Sequence, residues 1–107
     1  MKPIDILYIP VPDREVGRTL AGLALEKRLA ACGNLHGPME SLYEWEGALK
    51  QEEEWALILK TTPERVQDLS TLIESAHPYD CPCVLQVSGE ANAAFAQWVQ
   101  DTCTGGR

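Results

Sequence analysis

The chain has 107 residues, 45% hydrophobic and 23% charged. That is ordinary usage for one globular α+β-sized domain and too apolar for long disorder. Its formal net charge of -7 repels phosphate backbones and anionic lipid, so no nucleic acid and no membrane surface is expected as a partner. No run approaches the ~18 apolar residues of a membrane helix. Asp5 stands where a signal peptide would be apolar, so the expectation is a soluble cytoplasmic protein.

Ile4 to Val11 is an apolar run closed by Pro10 and Pro12, the pattern of a strand in the middle of a sheet. Asp13 can cap a helix that has Glu15 in its first turn and Lys27 and Arg28 in its last, charges that suit the helix dipole. Val16, Leu20, Leu23 and Ala24 form its apolar stripe. Cys32-Gly33-Asn34 breaks the helical pattern.

From Leu35 to Glu46 the period becomes two, with Met39, Ser41, Tyr43 and Trp45 on one face. Gly47 gives a turn, and a second strand runs from about Glu53 to Thr61 with Trp55, Leu57 and Leu59 on one face. Two such strands about a glycine make a hairpin. The acids Glu44, Glu46, Glu52, Glu53 and Glu54 read as its solvated tip rather than as a metal site.

Thr62-Pro63-Glu64 starts a helix, and His77-Pro78 stops it. Cys83 to Val87 reads as a short strand. Asn92 caps a last helix packing through Phe95, Trp98 and Val99. Residues 1–103 therefore read as one domain and 104–107 as a flexible tail.

The order strand, helix, strand, strand, helix, strand, with an extra C-terminal helix, predicts a ferredoxin-like βαββαβ arrangement. Both main helices would cover one sheet face. The other is left to Met39, Tyr43, Trp45, Trp55 or their neighbours, and an apolar face of that kind marks an interface. The expectation is an oligomer.

There is no recognisable Ser-His-Asp set, no Gly-rich phosphate loop and no HExxH, so an enzyme is not expected. The most unusual segment is His77-Pro78-Tyr79-Asp80-Cys81-Pro82-Cys83. Thiolate and imidazole suit Cu(I), Zn(II) or Cu(II). Spacing alone favours a structural reading, with Cys83 a small buried residue opening a strand and Cys81 in a turn, because C-x-C lacks the second pair of a convincing zinc site. His77 reads equally as a helix-ending residue that bonds the last carbonyls. Cys32 reads as core filler, and Cys103 as a thiol near a frayed end, open to oxidation. Lys60 either snorkels to solvent or serves as the cation of a cleft with Tyr43, Trp45 and Tyr79 that suits a carboxylate or phosphate.

Several segments together are similar to those of the CutA divalent-cation tolerance proteins: Arg28-Leu29-Ala30-Ala31-Cys32-Gly33-Asn34, Ser41-Leu42-Tyr43-Glu44-Trp45-Glu46-Gly47, Leu59-Lys60-Thr61 and His77-Pro78-Tyr79-Asp80-Cys81-Pro82. Pro12-Asp13 and the Phe95-x-x-Trp98 pair fit as well. The resemblance runs from about Pro10 to Trp98. It implies a ferredoxin-like homotrimer, PII-like in assembly, in which hairpins of neighbouring subunits pair, and a role in tolerance of copper and other divalent ions. It carries an inter-subunit cleft onto Tyr43, Trp45, Lys60, His77 and Tyr79, and a metal role most directly onto Cys32 and His77. Where the family usually has Glu or Gln, an aliphatic residue or Thr, and Glu, this chain has Asp80, Cys81 and Cys83. The thiols would soften any site toward Cu(I) or Zn(II). The rival readings are a PII-like trimer binding a small anion or metabolite in that cleft, and a structural scaffold for partner proteins.

Overall fold

A computed structural model describes residues 1–104. The elements are β1 (Lys2–Val11), α1 (Arg14–Glu26), β2 (Cys32–Trp45), β3 (Ala48–Thr61), a 3-10 turn (Pro63–Arg65), α2 (Val66–Ala76), β4 (Leu85–Ala91) and α3 (Ala93–Thr104). The sheet is antiparallel in the order β2-β3-β1-β4, the split βαβ order expected from the element sequence.

Asp13 caps α1, its carboxylate accepting from the Val16 N–H at 2.9 Å. The helix ends at Glu26, before Lys27 and Arg28, because Arg28 takes a left-handed conformation (φ 58°) that reverses the chain. Those two cations therefore lie beyond the last turn, not in it. Cys32, Gly33 and Asn34 belong to β2 and are not a break. The Ala31 N–H donates to the Lys60 carbonyl at 2.8 Å, and Cys32 pairs directly with Lys60, so the ladder begins at once.

Glu46 (φ 52°) and Gly47 (φ 82°) both sit at positive φ between paired Trp45 and Ala48. This two-residue loop matches the right-handed twist of the flanking strands, so β3 starts at Ala48, five residues before the expected Glu53. Pairing slips between His36 and Met39, where the Gly37–Pro38 peptide is cis. Gly37 is needed there: a Cβ would lie 2.6 Å from the Trp55 ring. Thr62 makes no side-chain cap, its carbonyl accepting from Arg65 instead.

β4 spans Leu85–Ala91, not 83–87. Its register sets Leu85 against Tyr8, which would put Cys83 against Pro10. Proline has no N–H to give the ladder, and Pro82 lacks one too. Pairing therefore starts later and runs out to Lys2 opposite Ala91.

Leu7, Ile9, Val11, Leu57 and Leu59 face α1 and α2 and bury against Leu20, Ala24, Leu69 and Ile73. Both helices thus cover one face, as expected. Trp55 belongs to this face, because it pairs with Val11 and packs against the core; it is not part of the uncovered one. The second face carries the opposite parity: Ile6, Tyr8, Ile58, Leu85 and Val87. Leu85 and Val87 are about half exposed. α3 covers only one end, where Ala96, Val99 and Cys103 bury against Ile4 and Ala31. Trp98 points away from this contact and is exposed.

Past the helices, β2 and β3 continue as a projecting hairpin. The molecule measures 48 × 25 × 21 Å, the long axis matching 14-residue strands at about 3.3 Å per residue. Of the expected tail, Thr104 closes α3; residues 105–107 lie outside the described residues.

Candidate functional site

The segment joining α2 to β4, residues 77–84, folds against the base of the hairpin. A groove of about 820 Å³ lies between them. Two phenol–carboxylate pairs shape it. Glu54 is 8% exposed and accepts a hydrogen bond from the Tyr79 hydroxyl at 2.6 Å. Two residues along the same strand face, Glu52 accepts one from the Tyr43 hydroxyl. Burial and then the Glu54 bond push the Tyr79 phenol well above its ordinary range, and the Glu52 bond chiefly raises that of Tyr43. Both phenols are neutral donors already taken by carboxylates.

Trp45, Asp80, Cys81 and Cys83 also line the groove, and among the described residues Lys50 is its one cation. Against Glu52, Glu54 and Asp80 the groove is acidic. It favours a cation and disfavours the carboxylate or phosphate that a Tyr43–Tyr79–Lys60 cleft would have held. Lys60 is elsewhere: its Nζ lies 5.7 Å from the centre of the Phe95 ring, on the α3 end of the sheet, a cation–π arrangement.

His77 is 7% exposed and is not in the lining. Its Nδ1 accepts from the Tyr79 N–H at 3.2 Å, so the ring proton sits on Nε2, which donates to the Pro10 carbonyl at 2.9 Å. Both ring nitrogens are engaged. The imidazole ties the segment after α2 to the end of β1, with its ring 4.7 Å from that of Tyr79. No lone pair is left for a metal in this arrangement.

Cys81 and Cys83 are free and exposed. Neither is core filler, and Cys83 does not open a strand. Cys32 is half-buried opposite Lys60. Cys32 pairs with Lys60, six residues along β3 from Glu54, the nearest groove residue on that strand, so it lies about 20 Å from the groove. Cys103 is fully buried, its sulfur 3.8 Å from the Thr61 hydroxyl. Burial pushes its thiol up, so it is shielded rather than frayed and oxidation-prone. The i, i+3, i+7 spacing of Ala96, Val99 and Cys103 carried that signal.

A divalent ion held by protein side chains asks for three or more convergent ligands. Among the described residues, no three of the His, Cys, Asp and Glu side chains are arranged to hold one ion. The residues of a single chain therefore do not fit a closed divalent-metal site. Cys32, His77, Cys81 and Cys83 are not brought together. Glu52 and Glu54, expected at a solvated hairpin tip, instead line the groove and accept from its phenols, Glu54 being buried; Lys50 is not singled out by the sequence. The signal was the shared parity of Glu52 and Glu54 on a strand paired with the one that carries Tyr43.

Residues 5–102 match the CutA1 divalent ion tolerance protein family. The chain belongs to that family. Its fold superposes on the CutA1 of Ehrlichia chaffeensis with a TM-score of 0.91 at 38% identity, over 96% of this chain and 97% of that one. For the periplasmic divalent cation tolerance protein CutA of Archaeoglobus fulgidus the TM-score is 0.89 at 32% identity, over 94% and 98%. Protein CutA, chloroplastic, of Arabidopsis thaliana is 34% identical over 102 residues, 94% of this chain but 56% of its own length. The chain thus spans little more than half of that relative. The four-stranded antiparallel sheet and three helices are those of the CutA structures. No helix among the described residues is long and apolar enough to cross a membrane.

Proposed function

We propose that the chain works as a CutA-type homotrimer, PII-like in assembly, that takes up divalent or soft metal ions and contributes to metal tolerance in the cytoplasm. The observation that carries this reading is the match to the CutA1 family along almost the whole chain. Assembly is supported by Leu85 and Val87 on the uncovered sheet face, and by the exposed Tyr43 and Trp45 of the projecting hairpin. A monomer leaves such apolar surface wet, and a symmetric partner buries it. Uptake of cations is supported by the acidic lining of the groove.

Copper is the favoured ion and zinc the next, because the available donors, Cys81 and Cys83, are thiols. A subunit neighbour would have to complete a divalent site, since the described residues of one chain do not. The proposed role is binding, with no catalytic step. The cytoplasmic placement rests on the sequence, and relatives with chloroplastic and periplasmic names leave the family tied to no single compartment.

The test is expression in a copper-sensitive bacterial host grown over graded Cu(II). The tolerated concentration should rise with the protein present. Growth that is identical with and without it would remove the tolerance role and favour the scaffold reading. The small-anion reading has less behind it, because Lys60 stands away from a groove whose free charge is mostly negative.

A further inference from the structure

The groove wall contains two free, exposed thiols two residues apart, Cys81 and Cys83. Among the described residues no arrangement adds a third His, Cys, Asp or Glu to them for one ion. A tetrahedral or octahedral ion is therefore underserved here. A soft ion content with two thiolates is not.

The spacing suits it. The Cα atoms of residues i and i+2 lie at most about 7 Å apart. Two metal–sulfur bonds of about 2.3 Å bridge thiols up to about 4.6 Å apart, a looser demand than a disulfide makes. The segment is also held in place on the side that precedes the thiols. His77 bonds to Pro10 and Tyr79, Tyr79 bonds to Glu54, and Pro82 restricts the backbone between the thiols. Asp80, Glu52 and Glu54 line the same groove and favour positive charge.

The geometry points to a monovalent, two-coordinate soft-metal site at Cys81 and Cys83, with Cu(I) as its ion. It rests on the metal-tolerance reading and names the ion that this chain holds by itself. Binding exchanges two thiol protons for one Cu(I), giving a bis-thiolate complex of charge -1, with no change of oxidation state. Affinity therefore falls as pH falls.

The experiment is anaerobic titration of the whole reduced chain with Cu(I) against a chromophoric Cu(I) chelator, using a phosphine reductant and counting bound ions by native mass spectrometry. Zn(II) is titrated in parallel. Wild type should take one Cu(I) per chain. Cys81→Ser and Cys83→Ser should each weaken this by at least about 100-fold, the upper end of what even outlying metal-site changes cost. Cys32→Ser, at a half-buried residue outside the groove, should leave it unchanged. Cu(I) affinity that survives both thiol substitutions overturns the site. Zn(II) bound more tightly than Cu(I) overturns the monovalent assignment while leaving divalent tolerance standing. Tolerance in the growth assay with no Cu(I) bound to the purified chain overturns the site alone, and loss of both overturns the reading beneath it.

Discussion

Replacing His77 by phenylalanine keeps an aromatic ring of similar volume and deletes both hydrogen bonds of the imidazole. Each bond contributes about 0.5–1.5 kcal/mol net, and a buried partner left unpaired costs about 1–3 kcal/mol. The partners are the Tyr79 N–H and the Pro10 carbonyl, both only partly buried, so the lower half of that range applies. The sum is about 2–4 kcal/mol, a large share of the ~5–15 kcal/mol that holds an ordinary domain. Urea unfolding at one fixed chain concentration measures it, since the stability of an oligomer depends on concentration. With a slope of about 2 kcal/mol per molar urea, the middle of the usual range, the midpoint should fall by roughly 1–2 M. His77→Gln carries a carbonyl and an amide that can replace acceptor and donor, and it should recover about half of the loss. A His77→Phe midpoint within about 0.5 kcal/mol of wild type would refute the anchoring role and return the imidazole to the list of free ligands.

Two further outcomes follow from the uncovered surface and the raised phenols. Light scattering coupled to gel filtration should give about three times the 11.8 kDa chain mass, with Trp45→Glu shifting the population toward monomer because a charge buried without a partner is costly; a wild-type monomer at micromolar concentration would end the trimer reading. Tyrosinate absorbance on raising the pH should show a late step that Tyr79→Phe removes, because the folded phenol ionises above its usual value of 10.0. The sign is fixed: the unfolded chain releases that proton first, so this share of stability is whole below the unfolded value and lost as pH rises through the folded one. If the step lost in Tyr79→Phe lies at the usual value of 10.0 instead, the phenol is not held by Glu54.

Local chemistry made most of the fold legible. Proline and glycine punctuation, the period-two runs and the Asp13 cap gave the elements and their order. The failures have a common cause, which is pairing between distant segments. Nothing near Cys83 says that it would meet Pro10 across the sheet, and nothing near Glu53 says that the strand begins five residues earlier behind a turn with two left-handed residues. The site was less legible for the same reason. Strand parity placed Tyr43 and Trp45 correctly. Direction along the sheet, which sets Lys60 and Cys32 about 20 Å from the nearest groove residue of β3, depends on register that composition does not contain. Grouping His77 with Cys81 and Cys83 by sequence proximity misled in the opposite sense, because the side chains of one short segment divide between inside and outside.

That division gives the segment its character. His77 and Tyr79 are turned inward and consumed by hydrogen bonds to Pro10 and Glu54. Cys81 and Cys83 are exposed on the groove wall and, among the described residues, are in no disulfide. Fixing a residue costs about 1–2 kcal/mol of backbone entropy. In a free loop a ligand at Cys81 and Cys83 would bear that cost on binding. Here folding has already met much of it, through an imidazole at one end of the segment, a phenol two residues later and a proline between the thiols. The residues that resemble a metal site in sequence therefore separate into a frame and a pair of donors. The frame explains why the imidazole is conspicuous without a free lone pair, and the donors are what the proposed soft-ion site would use, where the described residues offer no three-ligand cluster.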